Sequence, residues 1–421
     1  MRTHHGGKGA VLLALTLVLP ALAGCSHGAK SPDPSTLAVT NAQAQHLLDV
    51  RATAIRHDDL AAFLGTLDRS DTALIARQRR YFANMEELPL QSLRYKVLKS
   101  DWPGELRAST WGSDVSLPQV QIATQLTGFD SEPVRRITGF AFGRPAGVPV
   151  IVSELTGAGQ QFPGSNPEPW DLVRVHVRTA GQTLQLYDDD TVKDADELSS
   201  VLQRGVANVR EGLPFAWSGR VVMYVFSKKA VLNSYEGVPG GNINHLGAMT
   251  FPMYAVLGQP TIAGVRFTLL PSSVAAGQPF LDRIVRHELT HVAVGYRDDG
   301  DPTWFAEGLA EYMGARSLPR SKRRIATVAV SRARRGVDGM PASATFNGPA
   351  QAWNYALSWM ACDYIAATQG PAKLWELMTA LHDDGRGTTD DDQDVVLQQV
   401  LGITSEQLAD FAAQRILRIY G

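Results

Sequence analysis

Residues 280–312 read FLDRIVRHELTHVAVGYRDDGDPTWFAEGLAEY, and this stretch decides the fold assignment of the chain. Its first part contains the motif HELTH at 287–291, preceded by apolar residues at helical spacing. Four residues advance a helix by about 6 Å and little more than one turn, so His287 and His291 project from one face and can bind one zinc ion. Glu288 lies beside that face, where its carboxylate can accept a proton from a metal-bound water.

A catalytic zinc ion needs a third protein ligand and an open coordination position. The second part of the stretch, PTWFAEGLAEY at 302–312, is predicted to be a helix. It carries two glutamates one turn apart, Glu307 and Glu311. The sequence therefore supplies two candidates for the third ligand.

The HExxH motif followed by a WFAEG helix resembles the gluzincin zinc metallopeptidases, in particular the families related to aminopeptidase N. In those families the third ligand is the glutamate of a similar Trp-x-x-Glu-Gly helix, which implies that Glu307 is the ligand here. The fifteen residues between His291 and Glu307 form a shorter spacer than is usual there, and Glu311 would match the longer spacer better. We favour Glu307 because Trp304 and Gly308 carry the resemblance.

The resemblance covers residues 220–421 and implies a thermolysin-like or gluzincin-like zinc peptidase domain with an α-rich C-terminal part. It implies one Zn²⁺ per chain and hydrolysis of peptide bonds. Glu311, one turn beyond the ligand, is expected to accept a hydrogen bond from the outer nitrogen of His287 and so fix the metal-binding tautomer. The alternative for Glu311 is a solvated surface carboxylate.

Hydrolysis also requires a group that stabilises the oxyanion. Aminopeptidase-N-like enzymes use a tyrosine, and Tyr355 in WNYALSW (353–359) stands in a similar layout. The Glu-Lys-Gly that usually follows this tyrosine is absent, and a tyrosine that only packs in the core is the alternative. The implied catalytic residues are therefore Glu288 and Tyr355.

The segment GAMTF at 247–251 resembles the substrate-binding GAMEN sequence of aminopeptidase N, but Thr250 replaces its glutamate. In that family the glutamate captures the free amine of the substrate, so the main reason to predict an exopeptidase is missing. The strand predicted at residues 265–270 is expected to pair with an extended peptide. Together these features favour an endopeptidase.

The N-terminus has the pattern of a secretory signal peptide, predicted to occupy residues 1–24. Arg2 and Lys8 precede an apolar run at residues 10–22, which is shorter than the roughly 20 residues that span a bilayer. The following LAGC resembles a bacterial lipobox, which implies cleavage before Cys25 and lipidation of its thiol. The protein would then be exported and lipid-anchored to the outer face of the bacterial cell membrane. An ordinary signal peptide with an incidental cysteine is the alternative.

Residues 25–40 are predicted to be a flexible tether, and residues 41–190 an α+β domain. That domain begins with two helical segments and continues with strand-like segments at 93–98, 120–126, 134–142, 148–155, 172–178 and 183–187. The order resembles the nuclear-transport-factor-2-like fold. Residues 191–421 are predicted to form the gluzincin-like domain, which begins with a helix at 195–211 and a strand at 221–226.

Composition limits the function classes. The formal charge of −2 comes from 40 basic and 42 acidic residues, mixed along the chain, which gives no nucleic-acid footprint. Cys362 lies in an apolar helical stretch and is predicted to be a core residue. The function predicted is a membrane-anchored zinc peptidase with a peptide or protein substrate. The alternative is a ligand-binding or adaptor lipoprotein with a non-catalytic zinc domain.

Overall fold

The computed structural model describes residues 38–101, 114–155, 167–235, 238, 243, 246–384 and 390–421. The predicted signal peptide, Cys25 and the tether as far as residue 37 lie outside these ranges and stay predictions. Residues Ala38–Gly421 form one compact unit of mixed α and β structure, so the predicted α+β class is confirmed. Among the described residues, no helix is both long and apolar enough to cross a lipid bilayer.

The first part of the unit packs helices against an antiparallel sheet. The helices are α1 (Asn41–Arg56), α2 (Leu60–Gly65) and α3 (Thr72–Glu87). The sheet has the order β1-β2-β3-β4 and contains β1 (Leu90–Asp101), β2 (Pro118–Leu126), β3 (Val134–Gly143) and β4 (Val150–Glu154). Asp59 and Asp71 begin α2 and α3 by accepting hydrogen bonds from the amides of Ala62 and Leu74. The nuclear-transport-factor-2-like topology stays a prediction.

A second sheet has the order β5-β6-β7-β9-β8. Its strands are β5 (His176–Ala180), β6 (Thr183–Tyr187), β7 (Val221–Val225), β8 (Ala248–Tyr254) and β9 (Ile262–Leu269). Strands β6, β7 and β9 are parallel, whereas β5 and β8 run antiparallel to their neighbours. This sheet crosses the boundary predicted between residues 190 and 191, because β6 forms its ladder with β7.

Residues 265–270 were expected to pair with an extended peptide, which requires a strand with a free edge. These residues lie in β9, whose two sides are paired with β7 and β8. Its main-chain donors and acceptors are therefore already used, and the expectation was wrong. The edge strands are β5 and β8, and β8 lies beside the HExxH motif, since Thr250 contacts Glu288.

Short helices α4 (Pro169–Leu172) and α6 (Lys229–Leu232) accompany the second sheet, and α5 (Ala195–Gly212) packs between it and the helical part. The remaining helices are α7 (Pro271–Ala276), α8 (Phe280–Val294), α9 (Thr303–Arg316), α10 (Thr327–Ala333), α11 (Gln351–Gln369), α12 (Ala372–Asp384), α13 (Asp390–Leu401) and α14 (Ser405–Tyr420).

Two glycines allow α9 to lie close to both α8 and α11. A Cβ on Gly308 would be 2.5 Å from the carbonyl oxygen of Ser358 in α11, and one on Gly314 would be 2.9 Å from the carbonyl oxygen of Arg283 in α8. Side chains at these positions would force the helices apart. Cys362 of α11 is fully buried, so the prediction of a core residue is confirmed. Burial also raises the pKa of its thiol.

Candidate metal centre

Helix α8 carries the HExxH motif with its polar side chains turned towards one cavity. The helix begins after Pro279 and ends at Gly295, whose φ of 60° favours glycine. His287 and His291 are one turn apart, and their Nε2 atoms are separated by 3.3 Å. The two ring nitrogens therefore face a common point, as the spacing predicts.

Helix α9 brings a carboxylate to the same point. The Oε2 atom of Glu307 lies 3.2 Å from His287 Nε2 and 3.6 Å from His291 Nε2. In a tetrahedral zinc site with bonds of about 2.0–2.1 Å, neighbouring ligand atoms are about 3.3–3.4 Å apart. The separations of 3.2, 3.3 and 3.6 Å fit that geometry.

The surroundings of Glu307 also fit a metal ion. Its Oε2 atom is buried, yet no described residue donates a well-directed hydrogen bond to it. A buried carboxylate oxygen without a donor is costly unless a cation approaches it. Burial alone would raise the pKa of Glu307, but the two histidines outweigh it and hold the pKa well below its usual range. The carboxylate is therefore in the charged form that binds metals.

Glu311 lies on the other side of the His287 ring. Its Oε1 atom is 3.4 Å from His287 Nδ1, and its Oε2 atom accepts a hydrogen bond from Arg283 Nε at 3.1 Å. The Arg283 guanidinium also stacks on the Trp359 ring, 4.1 Å from its centroid. Glu307 thus faces Nε2 of His287 and Glu311 faces Nδ1, although Nδ1 has no hydrogen-bond partner among the described residues. The roles of the two glutamates towards a metal stay predictions.

Charges around the centre are tightly coupled. Burial alone would raise the pKa of Glu311 and lower that of His287. Arg283 and His287 nevertheless hold the pKa of Glu311 at about 2, and the carboxylates of Glu307 and Glu311 raise the pKa of His287 to about 9. Protons and a metal ion would therefore compete for the same nitrogens.

Glu288 is 4% exposed and points into the same cavity. Its Oε2 atom accepts a hydrogen bond of 2.6 Å from the hydroxyl of Thr250 in β8. Burial raises the pKa of Glu288, whereas the charges of His287 and His291 and the Thr250 hydroxyl oppose the rise. A carboxylate placed in this way can both take up and release a proton.

Tyr355 of α11 lines the same cavity as Glu288. Its ring centroid is 6.3 Å from that of His287, and its hydroxyl lies 3.5 Å from Asn347 Oδ1. Burial raises the pKa of the phenol, and the carboxylates of Glu307 and Glu288 add to the rise. The hydroxyl is therefore protonated and can donate a hydrogen bond in the cavity.

Sequence reasoning missed two residues of the centre. The Asp298 carboxylate lies 3.9 Å from His291 Nδ1, the position of an outer partner for that ring. Thr250 was considered only as the replacement of a glutamate, and its contact with Glu288 has no signal in the local sequence. Each contact joins α8 to a residue outside that helix, so helical spacing could not predict it.

Two cavities meet at the metal centre. One has a volume of about 280 Å³ and extends along β8 towards Asp298, and the other, of about 420 Å³, extends towards Phe280 and Arg324. The residues that line both are Leu246, Ala248, His287, Glu288 and Tyr355. The centre therefore lies within a cleft that continues on two sides.

Comparison with known proteins gives little further information. No family model matches the chain, and no curated protein matches it. Among solved structures, the chain is similar to a variant of an M1 zinc metallopeptidase from Deinococcus radiodurans. The identity is 13% and the TM-score 0.35, and the match covers 77% of this chain and 71% of that one. At this level of similarity the function of that enzyme does not transfer to the chain.

Proposed function

We propose that this protein is a zinc-dependent peptidase, exported and anchored through a lipid on Cys25 to the outer face of the bacterial cell membrane. The observation that carries the proposal is the convergence of ligand atoms from His287, His291 and Glu307 within 4.8 Å of one another, with Glu288 beside them. Two imidazoles and one carboxylate are the ligand set of many catalytic zinc sites. The substrate is a peptide or protein.

The number of ligands favours catalysis over a structural metal. Within the described part of the chain, the cluster contains three protein ligands, and structural zinc sites normally have four. The cluster also borders an open cleft, so a substrate can reach the remaining position. These features disfavour the alternative of a lipoprotein with a non-catalytic zinc domain.

The side chains around the cluster have distinct tasks in this proposal. A bound zinc ion would polarise the substrate carbonyl and acidify water. Glu288 accepts the proton of the attacking water and delivers it to the leaving amine. Tyr355 donates a hydrogen bond to the oxygen that becomes negatively charged. Glu311 and Asp298 orient the rings of His287 and His291 from the outside.

Strand β8 provides the proposed binding edge for the substrate. It carries Thr250, pairs with β9 on one side only, and lines the cleft from Ala248 to Pro252. An extended polypeptide can therefore add to the sheet by main-chain hydrogen bonds. Because the cleft continues on both sides of the centre, we propose cleavage of internal peptide bonds.

The test compares the purified wild-type protein with Glu288→Gln. Both should contain about one zinc ion per chain, because Glu288 is not proposed to hold the metal. The wild type should hydrolyse members of a peptide pool, as followed by mass spectrometry, and the variant should lose nearly all turnover. Glu406→Gln, the same change at an exposed position, is the matched control and should behave as the wild type.

Two outcomes would contradict the proposal. A zinc-loaded wild type that cleaves no peptide would leave the binding or adaptor function as the better explanation. Equal turnover in the wild type and Glu288→Gln would show that another group activates water.

A further inference from the structure

The two cavities of the cleft differ in charge. Besides the two histidines, Glu288 and Glu307, the charged residues that line the first cavity are Asp298 and Asp299, and its lining among the described residues includes no lysine or arginine. The second cavity is lined by Arg283, Arg324 and Glu311. Since Arg283 is paired with Glu311, Arg324 supplies the net positive charge on that side.

Arg324 belongs to the most basic segment that borders the cleft. Residues 312–337 contain no acidic residue, and their basic residues are Arg316, Arg320, Lys322, Arg323, Arg324, Arg332, Arg334 and Arg335. The segment is fixed beside the centre, because Arg283 Nη1 donates a hydrogen bond of 2.7 Å to the carbonyl oxygen of Arg324. Arg324 itself is exposed. The positive charge at this end of the cleft therefore belongs to an anchored segment.

The opposite end is negative. Asp298 and Asp299 lie shortly after the end of α8, and both carboxylate oxygens of Asp301 are buried. Burial, together with the charges of Asp298 and Asp299, raises the pKa of Asp301 to about 9. The same two carboxylates face the first cavity, where a cationic side chain of a substrate would neutralise them.

The direction of strand β8 determines which end of a paired polypeptide lies in the negative cavity and which lies in the positive one. The second cavity reaches Leu246 and Gly247, before β8, and the first reaches Phe251 and Pro252, further along it. A polypeptide that pairs antiparallel with β8, the more frequent mode, has its N-terminal half in the first cavity. Its C-terminal half then lies in the second cavity, near Arg324.

We propose, on the basis of the peptidase function above, that the cleft selects polypeptides with basic residues before the cleaved bond and acidic residues after it. The basic residues of the substrate lie in the first cavity, near Asp298 and Asp299, and its acidic residues lie in the second cavity, near Arg324. Opposite charges at the two ends also fix the direction of binding, since a reversed substrate would place like charges together at both ends.

The test uses the zinc-loaded full-length protein and three peptide pools with four randomised central positions. The first pool has two lysines before and two glutamates after the randomised positions, the second has the reverse order, and the third has glutamine at all flanking positions. The first pool should have a kcat/KM about five- to tenfold above the second, as expected from a few exposed ion pairs. At about 1 M salt, where the Debye length is about 3 Å, the preference should largely disappear.

Two substitutions distinguish the cleft from the general surface charge. Arg324→Glu should remove the preference for glutamate after the cleaved bond, so the rates of the first two pools should approach each other. Arg334→Glu makes the same change in charge in the same basic segment, at an exposed residue outside the cleft lining. It should keep the wild-type preference.

The possible failures are distinguishable. No cleavage in any of the three pools would contradict the peptidase proposal, and this inference with it. Cleavage of the glutamine pool, together with equal rates for the two charged pools or a preference for the reverse order, would overturn only the inference. A loss of preference in Arg334→Glu as large as that in Arg324→Glu would also contradict it.

Discussion

The hydroxyl of Thr250 donates a hydrogen bond of 2.6 Å to Glu288 Oε2, so the edge strand β8 holds the carboxylate of the HExxH motif. Hydrogen bonds to charged groups are shorter and stronger than neutral ones. This contact fixes the direction of Glu288 and opposes the rise in pKa that burial causes. Thr250 is therefore a positioning residue for the proposed base.

Thr250→Val keeps the shape of the side chain and deletes the hydroxyl. We expect kcat for peptide hydrolysis to fall about 10- to 100-fold, the range for a lost hydrogen bond to a charged group, with KM and zinc content nearly unchanged. Thr250→Ser restores the donor and should restore most of the turnover. Wild-type kcat in Thr250→Val, or no recovery in Thr250→Ser, would argue against this role.

The metal centre predicts different zinc contents for its two glutamates. His287→Ala, His291→Ala and Glu307→Ala should each lose the ion, because every one removes an atom of the three-ligand cluster. Glu311→Ala should weaken zinc binding by roughly 10- to 100-fold, as is typical for an outer partner of a ligating histidine. Elemental analysis after dialysis against a weak chelator measures this. An empty site in Glu311→Ala beside a full one in Glu307→Ala would reverse the assignment.

Tyr355→Phe deletes only the phenol hydroxyl that faces the cleft. Loss of one oxyanion donor typically lowers turnover about 10²- to 10³-fold, so kcat should fall by that amount while zinc stays bound. Tyr364→Phe removes a hydroxyl from the same helix, where the ring stacks on Phe411, and serves as the control. Near-wild-type kcat in Tyr355→Phe would remove this residue from the mechanism.

Stability should depend on pH through Glu168, which is buried near Arg136 and Arg266 and accepts a hydrogen bond from the Tyr224 hydroxyl. Burial raises its pKa from 4.5 to about 7, although the two arginines oppose the rise. Between these pH values the folded state holds a proton that the unfolded state has lost. The free energy of unfolding should therefore fall as the pH rises through this window.

Glu168→Gln should make this part of the pH profile flatter. Glu168 alone should account for about 2 to 3 kcal/mol of the loss between pH 5 and pH 8, from the size of the shift. Urea denaturation in the presence of EDTA measures it without the contribution of bound metal. A profile as steep in Glu168→Gln as in the wild type would assign the pH dependence to another group.

The lipid anchor is tested by Cys25→Ala. In the proposal above, the lipid on Cys25 supplies the membrane attachment. The substituted protein should move from the membrane fraction to the soluble fraction. Membrane association equal to that of the wild type would contradict the lipobox interpretation.

The local periodicity of apolar residues was sufficient to predict the helix of the HExxH motif and most of the strands. The helix predicted at residues 195–211 is α5 (Ala195–Gly212), and the strand predicted at 183–187 is β6 (Thr183–Tyr187). Both patterns depend on side chains a few residues apart. The boundary at residue 190 had no such basis, because the partner of a strand is chosen by segments far away in the chain.

The sequence placed His287 and His291 on one helix face with Glu288 beside them, since four residues make about one helical turn. It also named Glu307 and Glu311 as candidates, but spacing alone could not separate them. Which carboxylate faces which nitrogen of His287 depends on the packing of helices, because the contacts of Gly308 and Gly314 set the position of α9 against its neighbours. Thr250 joined the centre for the same reason, because packing brings the distant strand β8 against α8. Asp298 lies shortly after α8 in the chain, and the path of the segment after Gly295 brings it to His291.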